Sequence, residues 1–230
     1  MKSAWKAALL ATLPVMTGYL VLGFGFGLVL HDAGGGVLLA LAMSGLIYAG
    51  SMQYAAVSLL TGGASLISAA LMTLAVNARH LFYGVSMLGK YRGMGAAKPY
   101  LIFALTDETY SLVCQDPLPV PAEQRRAYCL AVSLLDHLWW VLGTLLGAVA
   151  GTVLAINTEG VDFALTALFV TVFVEQWLTV EDRVPAMIGG GASVMCLALF
   201  GGGDFLIPAM LLIALLLTLY TDGRRVKSHE

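Results

Sequence analysis

Residues 64–89 read ASLISAALMTLAVNARHLFYGVSMLG. In length and apolar content this is a membrane-crossing helix, which needs roughly 20 predominantly apolar residues. Arg79 and His80 nevertheless stand side by side in its interior. A charge held at mid-bilayer costs about 3 kcal/mol on insertion scales, so such a residue faces a partner or an aqueous path. The stretch therefore reads as lipid-embedded and functional at once.

The whole chain agrees with that reading. Of 230 residues, 59% are hydrophobic and 11% charged, and the mean hydropathy is +0.86. That is far more apolar than a soluble domain of this size. The 26 glycines fit closely packed membrane helices. A net charge of −2 without a basic stripe excludes nucleic acid as a partner. Cys114, Cys129 and Cys196 have no paired spacing, so no metal, cofactor or disulfide framework is expected. Lys2 and Lys6 precede an apolar run through Pro14 to Leu30, too long for the core of a signal peptide and therefore the first span.

Eight apolar segments follow one another, at 8–30, 37–61, 64–89, 100–114, 127–153, 163–180, 184–200 and 204–220. Their connections are short, which predicts an all-α polytopic membrane protein, a helical bundle forming one transporter domain over residues 1–230. If all eight cross with the N-terminus inside, Lys90, Arg92 and Lys98 fall on the wrong side for the positive-inside rule. If 37–61 and 100–114 are instead re-entrant, each returning to the side it entered from, every loop and tail Lys or Arg becomes cytoplasmic. Six to eight full spans are thus expected, with both termini cytoplasmic and Glu159 and Asp162 outside. Both exceptional segments are interrupted, the first by Ala-Gly-Ser at 49–51 and the second by Thr-Asp-Glu-Thr at 106–109.

The informative residues are those costly in lipid: Arg79, His80, Asp107, Glu108, Asp136, His137 and Glu175. On a helix Asn77, His80 and Gly84 share one face while Arg79 and Tyr83 share another. Asp107 and Glu108 point about 100° apart, so only one of them can meet a given cation. Arg79 then forms either a structural ion pair or part of a ligand site. Asp136 and His137, near mid-depth of 127–153, relay protons or join helices by hydrogen bonds. Glu175 and Gln176, beside Trp177, read as boundary residues. Gly23 and Gly27 give small-residue packing in the first span. Gly50 permits a helix break whose freed amides Ser51 and Gln53 line, the arrangement by which transporters hold charged groups.

Five stretches, GYLVLGFGFG (18–27), LIYAGSMQYAAVSLL (46–60), LAVNARHLFYGVS (74–86), LTDETY (105–110) and GVDFALTALFV (160–170), together resemble the AzlC-type family. Its members are large subunits of branched-chain amino-acid exporters. The resemblance implies a bacterial inner-membrane exporter of leucine, isoleucine, valine and methionine that works with a small AzlD-type membrane subunit. A zwitterionic substrate needs a cation or donors for its carboxylate, which Arg79, Gly50 and Ser51 offer. Its ammonium needs an acid or carbonyls, which Asp107 or Glu108 with Gln53 and Asn77 offer. Phe24, Tyr54 and Tyr83 are candidate walls for the aliphatic side chain. No nucleotide-binding GxxxxGK[ST] is present, which leaves ion coupling, with His80, Asp107 and Glu108 as proton carriers. A membrane scaffold and a membrane-embedded enzyme using His80, His137, Asp107 or Glu108 are the competing readings. HExxH is absent, and no nucleophile adjoins a base at a recognisable spacing.

Overall fold

A computed structural model describes residues 2–154, 163, 167, 170, 173, 174, 177, 178 and 183–227. Glu159, Asp162, Glu175, Gln176 and most of the segment 163–180 lie outside the described residues. The described elements are helical: α1 (Lys2–Asp32), α2 (Val37–Leu46), α3 (Gly50–Thr61), α4 (Leu66–Met87), α5 (Lys98–Phe103), α6 (Asp107–Val113), α7 (Arg125–Val153), α8 (Val184–Asp204) and α9 (Leu206–Lys227). They fall into two compact units, residues 1–69 with 76–166 and residues 70–75 with 167–230.

Among the described residues three helices are long and apolar enough to cross a membrane, Ser3–Asp32, Ala122–Val153 and Val184–Gly201. The pair Leu66–Leu74 and Val76–Met87 adds a fourth if counted as one span. The expected six to eight spans thus exceed what helix length alone supports. Large apolar side chains such as Leu38, Leu66, Phe82 and Val21 point outward, the inverse of a water-soluble surface.

The first unit is organised on α1 and α7, which touch through glycine. A Cβ on Gly23 would stand 2.9 Å from the backbone of Trp140 and Thr144, one on Gly27 2.4 Å from that of Thr144 and Ala148, and one on Gly151 2.6 Å from the His31 ring. These contacts advance together along both helices, so α1 and α7 run parallel. Without side chains between them the backbones meet directly and gain dispersion contacts along the seam. The α7 side of the seam is a stripe, Gly143, Gly147 and Gly151, at four-residue spacing, which one face of a helix requires.

Both segments expected to be interrupted are split into two helices, at 47–49 and at 104–106. Each also turns back. The α2 residue Ser44 donates to Thr144 in the distal half of α7 (2.8 Å). The chain then reaches Trp140 at Gly50 and returns with Tyr54, whose hydroxyl donates to the Leu22 carbonyl (2.7 Å) and whose ring packs on Phe26. From the opposite end, Leu101 of α5 and Val113 of α6 share one apolar cluster with Ala4, Ala8, Tyr91, Tyr128 and Cys129. Lys90 donates to the carbonyl of Cys114, closing that hairpin at its base. The loop carrying Lys90 and Arg92 therefore packs beside the first turns of α1 and α7, and Arg126 lies 3.3 Å from a Cβ built on Gly95. Opposed hairpins thus meet where Tyr48 approaches Phe103, 6.3 Å between ring centres.

In the second unit α8 and α9 pack as a pair. Their backbone leaves helical geometry at Gly201, φ +75°, a conformation that glycine adopts without a Cβ clash. Arg183 sits 5.3 Å over the Trp177 ring.

Candidate functional site

The break after α2 is held by side chains from α7 and α5. Tyr48 takes φ +47°, strained for a bulky residue. Its ring stacks on His137 at 4.2 Å. His137 Nε2 donates to the Ser44 carbonyl (3.2 Å), an acceptor that the ending helix leaves without an amide. The Tyr100 hydroxyl holds Nδ1 at 3.1 Å. His137 is thus a fastening between the two hairpins. Gly50 opens α3 for a different reason from the one its sequence suggests: a Cβ there would meet the Trp140 ring at 2.9 Å. Ala49, at the N-cap, offers no side-chain acceptor, so the first amides of α3 are uncapped and the positive end of the helix dipole is open.

The other break is capped. Thr106 accepts from the Thr109 amide (3.2 Å), which places Asp107 and Glu108 in the first turn of α6, the favourable end for acids. The two acids diverge as their spacing requires. Asp107 Oδ2 accepts from Arg79, whose second terminal nitrogen donates to Ser51 Oγ at 3.3 Å. Glu108 Oε2 accepts from the Tyr19 hydroxyl at 2.7 Å. One guanidinium on α4 therefore bridges the starting turns of α3 and α6. Among the described residues Arg79 Nε and Asp107 Oδ1 are buried without a partner, so the pair retains one free donor and one free acceptor.

Of the remaining residues singled out from sequence, Tyr83 stacks on Tyr110 (4.5 Å) and meets the His80 ring edge-on (5.8 Å). Asn77 supplies its backbone carbonyl to His80 Nδ1 (3.2 Å). Asp136 accepts from Thr109 at 2.8 Å and is fully buried. Tyr54, a candidate wall, lies in the core with Phe26 and Val57. Gln53 is fully buried: its amide donates to Ser44 (3.0 Å), and its carbonyl accepts from Trp140 Nε1 (3.0 Å). A Gln53→Leu substitution orphans the Trp140 donor, at a cost of about 1–3 kcal/mol. Thermal unfolding of the purified protein in detergent should show that loss. An unchanged melting point would show that Trp140 does not depend on the Gln53 amide. Tyr19, Tyr48 and Trp140 were not singled out by residue type. Their signal in the sequence is only that an aromatic with a polar tip lies deep in an apolar segment, where that tip needs a partner.

The family described as AzlC protein matches residues 14–154, which contain both hairpins, α4 and the α1–α7 seam. The chain belongs to the AzlC family. It is 43% identical to the Bacillus subtilis branched-chain amino acid transport protein AzlC, over 94% of this chain and 85% of that protein. It is 40% identical to an "uncharacterized membrane protein" of Haemophilus influenzae, covering 94% and 88% of the two chains. It is also 29% identical to the inner membrane protein YgaZ of Escherichia coli, over 87% and 82%. No solved structure matches it significantly. With relatives described as membrane proteins and outward-facing apolar helices, this AzlC-family chain is a membrane protein. Its Arg79, Asp107 and Ser51 cluster falls inside the family match.

Proposed function

We propose that this chain is the large permease subunit of a branched-chain amino-acid exporter in the bacterial inner membrane, working with a small AzlD-type subunit and driven by the proton gradient. The observation that carries the reading is Arg79 bridging the starting turns of α3 and α6 with one donor and one acceptor to spare. A substrate carboxylate binds Arg79, Ser51 and the uncapped amides from Gly50 onward. The substrate ammonium takes Asp107. Tyr83 borders the aliphatic side chain. The hairpins 37–61 and 100–114 are re-entrant, which puts the basic loops on the cytoplasmic side with both termini, and residues 1–230 act as one transporter domain rather than an enzyme. One charge moved down 100 mV supplies about 2.3 kcal/mol, enough for a gradient of roughly 50-fold.

The test is efflux of preloaded labelled leucine from cells expressing the chain with and without its small partner. Efflux should require both, and a collapsed proton gradient should stop it. Leucine, isoleucine, valine and methionine should differ by no more than about 10–200-fold in transport efficiency, because one methylene in an apolar pocket discriminates only weakly. No efflux of any of the four under any condition would favour the scaffold reading.

A further inference from the structure

Two carboxylates in the first unit are joined by an unbroken line of hydroxyls. Glu108 Oε2 lies 2.7 Å from Tyr19 OH, Tyr19 OH 2.7 Å from Thr106 Oγ1, Thr106 Oγ1 3.1 Å from Thr109 Oγ1, and Thr109 Oγ1 2.8 Å from Asp136 Oδ2. Four oxygen–oxygen gaps separate these five groups, whereas the three hydroxyls own only three hydrogens. With both carboxylates ionised, one gap holds no hydrogen. With one added proton, all four are bridged in a single direction.

The burial of Asp136 favours the added proton. It is 0% exposed, and among the described residues its Oδ1 has no partner and it forms no ion pair. A carboxylate anion with one hydrogen bond in such surroundings is strongly disfavoured. The titratable groups around it are Glu108 on α6, Tyr48 at the first break, Tyr100 on α5, and Tyr128 and His137 on its own helix. None of them is a permanent cation.

We propose that Asp136 and Glu108 share one exchangeable proton, carried between them by Thr109, Thr106 and Tyr19. Starting with the proton on Asp136 Oδ2, Thr109 accepts it and passes its own to Thr106, Thr106 passes its own to Tyr19, and Tyr19 passes its own to Glu108. Four O–H bonds break and four form, Asp136 becomes the carboxylate and Glu108 the acid, and nothing else is consumed. The role of this proton rests on the exporter reading: Asp107 and Glu108 are adjacent in the first turn of α6. A substrate ammonium that draws Asp107 from Arg79 therefore also shifts the Glu108 end of the line.

The proton itself is measurable without substrate. Infrared spectra of the purified full chain in nanodiscs at neutral pH should show a protonated-carboxyl carbonyl stretch that disappears in Asp136→Asn. On transfer to heavy water that band should shift about tenfold more slowly in Tyr19→Phe, because phenylalanine has no hydroxyl to carry the proton between Thr106 and Glu108. Glu108→Gln, whose amide cannot relay a proton, should slow it likewise and serves if the tyrosine variant fails to fold. A wild-type spectrum without the band, or a band that survives Asp136→Asn, overturns the shared proton. Equal exchange in wild type, Tyr19→Phe and Glu108→Gln overturns the relay. Leucine export by a protein lacking the band would leave the exporter standing and remove this proton site, and the band with its relay but no export would do the reverse.

Discussion

Arg79→Ala should reduce leucine export about 30-fold or more while the protein still reaches the membrane, because truncating one partner of a hydrogen-bonded charge pair costs about 2–5 kcal/mol when the pair is buried, and this pair, with side chains 37% and 33% exposed, stands at the low end of that range. The loss has two physical parts. Asp107 is left without its cation, and Ser51 loses the donor that ties the start of α3 to the start of α6. Arg79→Lys should recover only part of the activity, since one compact ammonium lacks the planar fork with which arginine reaches two groups. The informative variant is the double, Arg79→Ala with Asp107→Asn. It removes both charges together and should restore abundance and thermal stability towards wild type, because no uncompensated charge remains. Export should stay at background. If export returned with stability, Arg79 would be a structural ion-pair partner. Normal export by Arg79→Ala at equal abundance would end the carboxylate-binding role.

The second large effect is expected far from any charge. Gly147→Ala places a Cβ 2.0 Å from the carbonyl oxygen of Phe24, and Gly27→Ala places one 2.4 Å from the backbone of Thr144 and Ala148. Both obstacles are main chain, so no rotamer change relieves them and the seam must open. Each substitution should cost about 3 kcal/mol, the upper part of the usual overpacking range. Gly151→Ala meets only the His31 side chain at 2.6 Å, which can swing aside, and should cost less. Gly18→Ala meets nothing within 4 Å and should stabilise α1 by up to about 1 kcal/mol through helix propensity alone. Thermal unfolding in detergent of these four variants gives the ranking. Equal melting points for Gly147→Ala and Gly18→Ala would show that α1 and α7 do not meet backbone to backbone.

That Arg79 needs an acid follows from the cost of charge in lipid, a property of one residue and its depth. Choosing Asp107 over Glu108 does not follow. The two differ by one residue, about 100° of helix, and which faces Arg79 depends on where α4 stands. Likewise Gly50 marked a break correctly, but the side chain that requires a glycine there is Trp140, 90 residues further on. Gln53 was legible as a polar side chain beside the break, but its partners Ser44 and Trp140 were not. Gly23 and Gly27 announced a close helix contact, while the partner stripe at 143, 147 and 151 became evident as such only against them.

By itself the sequence determined the solvent in which this protein works, its helical class, the two places where helices break and the family to which it belongs. Each of these depends on local quantities, namely run length, charge at depth, turn chemistry and contiguous motifs. Only the tertiary structure decided that α1 and α7 run parallel, that opposed hairpins meet at Tyr48 and Phe103, and that three hydroxyls join Glu108 to Asp136. The physical reason is range: burial and periodicity are felt along the chain, whereas a hydrogen bond is specified to a few tenths of an ångström between residues as distant in sequence as Tyr19 and Glu108.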